Sequence, residues 1–267
     1  MKKILLLIII ISPLLAIAQK PDTKAQKKAE REKRIEELRK RAEEGEIVFS
    51  KQTAFGIKLN TDGYGAFVEL GRMKTLRKAN LYWLELGERK HSKEQKLTKT
   101  EGPLGFTGNP FIFGKINNFY FLKFGYGQQI TLGNKGNKNG VAVSAIYGGG
   151  ISAGLLKPYY LEIKDPATNQ QRDLRYHDTT EVYFLDPSVI TGSSGFSKGW
   201  SELKFVPGAH LRTAIRFDYG RFNEMLSALE IGFNAEFYAK TMPIMLRNKE
   251  KRFFFNAYAA LTFGRRK

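Results

Sequence analysis

The sequence predicts an all-β chain: eight antiparallel strands closing into a transmembrane β-barrel, preceded by a cleaved signal peptide and a charged periplasmic helix. Three observations carry the prediction. Beyond residue 46 the chain breaks into short segments that alternate apolar and polar residues, rich in Phe, Tyr and Gly and separated by Gly, Asn, Asp and Lys turns. Eight such segments can be counted, and eight is the smallest even number that closes a barrel in an outer membrane. The N-terminus carries an export signal, and no later stretch approaches the length of an apolar helical span, so a membrane crossing has to be made of strands.

Residues 1–18 contain two lysines, an uninterrupted apolar run from Ile4 to Ile11, and Ala16-Ile17-Ala18 before Gln19, the pattern of a secretory signal peptide. The apolar stretch from Ile4 to Ala18 contains Pro13 and falls short of the about 20 residues that a helical span needs. The chain has no cysteine, which excludes a lipoprotein anchor, disulfides, thiolate metal sites, iron–sulfur clusters and a cysteine nucleophile. Lys and Arg number 44 against 26 Asp and Glu, a formal charge of +18 that would usually suggest nucleic acid. Export removes that partner, so no nucleic acid is expected.

Residues 19–46 are dense in charge and free of aromatics. Pairs such as Glu30/Arg34 and Glu36/Lys40 support a helix, and a thin stripe that includes Ile35, Leu38 and Ala42 runs along it. The stripe is too narrow to bury a core by itself. It fits either a spacer or a docking helix for a periplasmic partner.

Residues 47–267 form the barrel, with strands expected over about 52–61, 64–73, 79–88, 117–128, 140–162, 204–218, 224–240 and 252–264. Each segment sorts into one lipid-compatible face and one polar or small face: Phe55, Ile57 and Leu59 against Lys58, for example, or Leu229, Ile231 and Phe233 against Glu230 and Asn234. Asp62-Gly63 carries the signature of a two-residue type I′ hairpin, which would set 61 opposite 64, 58 opposite 67 and 56 opposite 69. With both termini periplasmic, the long segments Arg89–Ile116 and Ile163–Leu203 fall on the outer side, as in outer-membrane barrels.

If the polar faces point inward, the lumen holds Lys58, Lys123, Arg212 and Arg216 against Glu69, Glu85, Glu230 and Glu236. Arg212 and Arg216 are expected diagonal to Glu230, and Lys58 diagonal to Glu69. An eight-stranded barrel is just wide enough for side chains, so a balanced octet points to a filled, structural lumen and away from a small channel. Outside the lumen, Arg89, Lys90, Lys93, Lys96 and Lys99 crowd one outer loop, and Arg265-Arg266-Lys267 forms the tail. These charges fit a solvated loop, or contact with anionic headgroups such as those of lipopolysaccharide, or an acidic partner.

Of the three histidines, His91 and His177 stand alone in loops, and no metal or other cofactor site is expected. His210 falls on a strand face and, with Ser and Glu, could serve a lipid A deacylase-like esterase or an acyltransferase-like enzyme. Such a site lies on the lipid-facing wall, whereas His210 sorts inward beside Asn234 and Glu236. A hydrogen-bonded lumen residue is therefore expected, and no catalytic residue is assigned. Gly148-Gly149-Gly150 lacks the pattern of a phosphate loop and fits close packing or a bend in a strand.

The signal sequence ending Ala-Ile-Ala before Gln, the stretch PFIFGKINNFYFLKFGYGQQITL at Pro110–Leu132 and the closing AYAALTFGRRK together resemble small outer-membrane β-barrel proteins of Bacteroidetes-type bacteria. The likeness covers most of residues 47–267 in texture, and GKINNFY…GYGQQ is the part that approaches a motif. What the resemblance implies is a partner class: such barrels are often accessory subunits of larger outer-membrane machines, including type IX secretion and barrel assembly.

Overall fold

A computed structural model describes residues 28–33, 36, 49–101, 106–135, 140–166, 168–220 and 224–267. The expected signal peptide, residues 1–18, and the docking residues Ile35, Leu38 and Ala42 lie outside the described residues. Residues 28–33 and 36 are helical. The chain divides into two units, residues 1–48 and 49–267, and the second holds all the strands of the described residues.

Its strands in chain order are β1 (Lys51–Asn60), β2 (Gly63–Thr75), β3 (Lys78–Arg89), β4 (Lys96–Leu97), β5 (Thr100–Glu101), β6 (Phe106–Thr107), β7 (Phe111–Ile112), β8 (Asn117–Gly133), β9 (Ala142–Pro158), β10 (Tyr160–Lys164), β11 (Gln171–Arg175), β12 (Ile190–Ser193), β13 (Lys204–Asp218), β14 (Met225–Met242) and β15 (Lys251–Arg266). The eight long strands close into one antiparallel barrel in the order β1-β15-β14-β13-β9-β8-β3-β2. Closure removes every free edge, so each ladder amide finds its partner within the ring.

Burial alternates with period two along each of these strands, and its polarity is inverted relative to a soluble core. In β1, Phe55, Ile57 and Leu59 are 61%, 63% and 65% exposed, while Lys58 between them is 0% exposed. The same holds in β3, β8 and β14, where Leu84, Phe124 and Ile231 face out and Glu85, Lys123 and Glu230 are sealed inside. An apolar outer wall around a charged interior is stable only where the surroundings are hydrocarbon.

Two expectations need correction. The first hairpin turns on Thr61-Asp62, not Asp62-Gly63: Asn60 pairs with Gly63, Lys58 with Gly65 and Gly56 with Phe67. The slip is two residues, so the faces are preserved. Asp62 is drawn toward β3 by an ion pair with Arg89 and by the Lys90 amide, which donates to its carbonyl at 2.7 Å. Gly63 then sits in the ladder opposite Arg89, where a Cβ would approach the Glu88 carbonyl oxygen to 2.1 Å. The expected strand over 140–162 is two strands. Its barrel part ends at Pro158, which has no amide hydrogen to extend the ladder, and Tyr160–Lys164 joins another sheet.

That second sheet, in the order β11-β10-β12, stands at the loop end of the barrel. Phe111, Leu161, Ile163, Phe184, Ile190 and Leu246 form its buried core. The long segments expected as plain loops thus fold into a cap with a core of its own. Lys99 fastens its parts by donating to the carbonyls of Pro187, Ser188 and Ile190 at 3.2, 2.7 and 3.0 Å.

Inside the ring, Trp83 occupies space that glycines leave open. A Cβ at Gly125 would lie 2.3 Å from the indole and one at Gly148 2.8 Å from it. In the rest of the Gly148–Gly150 run a Cβ at Gly149 would come within 2.6 Å of the His210 carbonyl oxygen and one at Gly150 within 2.0 Å of that of Phe124, so close packing explains all three. Gly125→Val is expected to destabilise the barrel by about 1–3 kcal/mol through overpacking. Urea titration of the folded, fast-migrating band on unheated gels checks this, and an unchanged midpoint would contradict the packing assignment.

Candidate functional site

The lumen is built from the inward position of each strand, so its chemistry follows from which residue occupies every second place. At its centre Arg216 on β13 makes a bidentate pair with Glu69 on β2, Nη1 to Oε1 at 2.7 Å and Nη2 to Oε2 at 2.8 Å. The same guanidinium donates to Glu230 on β14, from Nε at 3.0 Å and Nη2 at 2.8 Å. Glu230 also accepts from Arg212 and from the Tyr258 hydroxyl. Lys58 lies 4.3 Å from the Tyr258 ring centroid and pairs with Glu85. Glu85 takes Lys123 as a second partner at 3.3 Å, and Lys123 reaches Glu236 at 2.5 Å.

The structure therefore brings all eight sequence-predicted lumen charges together, each at most 1% exposed. Its pairing differs from the expected one in two respects. Lys58 pairs over β2 with Glu85 on β3, not with Glu69, because the corrected hairpin register sets Gly65 opposite it. Arg216 lies directly opposite Glu230, and Arg212 alone reaches it diagonally.

Arg89 belongs to this network and not to the outer basic loop. It is 2% exposed, reaches Glu236 at 2.6 Å and pairs with Asp62 at the mouth. Burial pushes the Asp62 carboxyl up from its ordinary value, against the downward pull of Arg89. The parity of Trp83, Glu85 and Gly87 already points Arg89 inward, but the expected strand stopped one residue short of it. Arg266 is likewise no free tail charge. It reaches Asp218 at 2.6 Å and donates to Gln52 at 2.9 Å, and Gln52 donates to Glu69 at 3.4 Å. A column of polar contacts thus extends from Asp218 at the terminal end to Asp62 at the loop end. Phe119, Phe121, Leu156, Val206, Tyr238 and Met242 pack above its centre at the loop end.

Of the remaining basic-loop residues, Lys90, Lys93 and Lys96 are exposed and Lys99 is the cap fastener. Lys90 lies 5.0 Å from the Tyr64 ring centroid.

His210 is buried among these groups. The Trp83 indole, which can only donate, approaches Nε2 at 3.2 Å, and Ser152 Oγ lies 3.0 Å from Nδ1. A neutral ring accepting at Nε2 carries its proton on Nδ1 and donates to Ser152. That serine oxygen is an acceptor, the reverse of what removal of its proton would require. Among the described residues no cluster of His, Asp and Glu has the arrangement of a metal site.

No family model and no curated protein sequence matches the chain. Among solved structures it is similar to Ail, the attachment invasion locus protein of Yersinia pestis, in complex with the heparin analogue sucrose octasulfate, at 8% identity over 82% of this chain and 100% of that one, TM-score 0.37. It is similar also to Neisserial surface protein A, at 7% identity over 81% and 96% of the two chains, TM-score 0.39. A third is the N-terminal β-barrel domain of Pseudomonas aeruginosa OprF, at 9% identity over 81% and 98%, TM-score 0.34. The chain is an eight-stranded membrane barrel. That statement rests on its own closed ring and inverted burial, since likeness at this level adds no argument about chemistry.

Removing one charged member of the buried column leaves an uncompensated charge in low dielectric. Glu230→Gln is accordingly expected to cost about 3–5 kcal/mol, because Glu69 alone is left to balance Arg212 and Arg216. Urea unfolding of the refolded protein in micelles measures it, and a loss below about 1 kcal/mol would show that the network contributes nothing beyond space filling.

Proposed function

We propose that the protein is a non-enzymatic outer-membrane barrel that works as a structural or docking component of a larger envelope assembly, of the secretion or barrel-assembly kind. The observation that carries this reading is the filled lumen. Among the described residues the lumen is filled by paired charges and an aromatic plug, which leaves no room inside it for a water path or a substrate. Its material outside the membrane is spent on surfaces instead. The long-loop end carries the packed cap, which in this reading faces outward, and the charged segment 19–46 lies on the periplasmic side. The resemblance to Bacteroidetes-type barrels supports a partner in the outer membrane or periplasm.

The Ser152–His210 contact is the observation behind the alternative, a lipid-modifying enzyme. Burial within the lumen and the direction of the hydrogen bond weigh against it. The lipid A profile of a strain lacking the protein decides between the two, with no change expected.

Two measurements test the proposal. Planar-bilayer recordings of the purified barrel are expected to give no discrete conductance steps, and reproducible steps would overturn the closed-lumen reading. Mild-detergent purification of the tagged protein from outer membranes is expected to bring stoichiometric large membrane partners. Deleting residues 20–45 should abolish that co-purification while keeping a heat-modifiable barrel. Partners retained by the deletion would remove the helix from the docking role.

A further inference from the structure

The outward-facing side chains of β2, β3 and β8 line up in rows across the barrel wall. Tyr64, Glu88 and Tyr120 share one row at the loop end. The next row toward the termini is Ala66, Leu86 and Leu122, and the one after it Val68, Leu84 and Phe124. A polar and aromatic row therefore borders an exposed apolar wall, the arrangement found where headgroups meet hydrocarbon. Between that row and the cap lies a cleft of about 380 Å³, within the range of about 300–1,000 Å³ typical of small-molecule sites. Tyr64, Lys90 and Lys157 line it from the barrel side, and Lys96, Tyr160 and Lys198 from the cap side.

Lys157 sets the sign of the ligand. It occupies an outward position of β9, yet it is only 2% exposed because Phe196 and Trp200 cover it, with ring centroids 4.4 and 4.8 Å from Nζ. The other buried lysines, Lys58, Lys115, Lys123 and Lys135, each have a carboxylate partner. Lys157 has no carboxylate at ion-pair distance among the described residues, although the Glu88 charge acts on it: its ammonium donates to the Phe196 carbonyl at 2.5 Å, one acceptor for three donors. Two other cleft lysines are already neutralised, Lys115 by Glu94 at 2.9 Å and Lys198 by Asp173. The hydrogen bond from Lys198 holds the Asp173 carboxyl below its ordinary range. Glu88 accepts from the Tyr64 hydroxyl at 2.5 Å and keeps its negative charge. Lys90, Lys96 and Lys157 face the single charge of Glu88, a net excess of two positive charges, around a space larger than one phosphate and bordered by tyrosine rings and hydroxyls.

We propose that this cleft binds the phosphorylated sugar headgroup of an outer-leaflet glycolipid, with the acyl chains lying on the wall formed by Leu84, Leu86, Leu122 and Phe124. The lysines take the phosphate, and the tyrosines take the faces and hydroxyls of the sugar rings. The site rests on the outer-membrane reading of the barrel but not on any docking partner.

The test uses the full-length protein in a detergent without sugar groups, titrated with bis-phosphorylated lipid A, phosphate-free lipid A, phosphatidylglycerol and the lipid-free glucosamine disaccharide bisphosphate. Tryptophan fluorescence reports the cleft, because Trp200 stacks on Tyr120 there, whereas Trp83 is buried in the lumen. Saturable binding of bis-phosphorylated lipid A is expected, at least tenfold tighter than that of the phosphate-free form. Lys157→Gln should weaken it at least tenfold. Because that change can loosen the Phe196–Trp200 cover, the exposed pair Lys90→Gln/Lys96→Gln is measured alongside, and the same direction is expected. Equal affinity for phosphate-free lipid A, or unchanged binding in the double variant, would overturn the site. Equal binding of phosphatidylglycerol would overturn the sugar assignment, and equal binding of the lipid-free disaccharide the glycolipid. Heat-modifiable migration and membrane fractionation of the same preparations score the outer-membrane reading separately.

Discussion

Charge pairing inside a ring too narrow for bulk water is the constraint on which the rest of this structure depends. Eight strands close around a space that only side chains can fill. Lipid claims the apolar side chains for the outer wall, so the inner wall receives the polar ones, and every ion placed there must meet a counter-ion or a donor. Arg216 shows how tightly this is met: one guanidinium satisfies two carboxylates from strands on either side of the lumen. The glycines beside Trp83 answer the same shortage of space, since an indole in the lumen leaves no room for side chains behind it.

The fold was legible in the sequence because period-two alternation reports on one strand at a time. Where Phe55, Ile57 and Leu59 alternate with Gly56 and Lys58, a single segment reveals both its conformation and its two faces. Partner choice was not legible, because it depends on strands that meet only through the third dimension. Lys58 on β1 finds Glu85 on β3, past the adjacent Glu69, and no local pattern encodes that reach. The hairpin register failed for a related reason: turn chemistry favours Gly63 in the turn, while Arg89 from β3 holds Asp62 there instead. Arg89 itself was recoverable by extending the parity of its strand by one step. The cap was hidden because its core residues, such as Leu161, Phe184 and Ile190, come from short segments with no sustained period.

The two ends of the barrel are treated differently by the same chain. At the terminal end the links between β2 and β3 and between β13 and β14 are short, and Arg266, Asp218 and Gln52 finish the column. At the other end, connections long enough to form their own sheet are fastened by Lys99 and packed against Tyr159 and Leu246. The cap and the upper wall together make the cleft around Lys157, which neither would form by itself. A cation that looks misplaced on a lipid-facing strand position is thereby given aromatic cover from a loop.

Arg216 and Glu69 stand 147 residues apart in the chain, and so do Arg89 and Glu236. Partners this distant cannot meet within one hairpin; they sit on strands four places apart in a ring of eight, on opposite walls of the barrel. Pairs on neighbouring strands, such as Glu85 with Lys123 and Arg216 with Glu230, need only their own two strands, whereas pairs between opposite walls need the sheet curled into a ring. The opposite-wall pairs therefore act as a latch: they reward the curled ring and give nothing to a flat sheet.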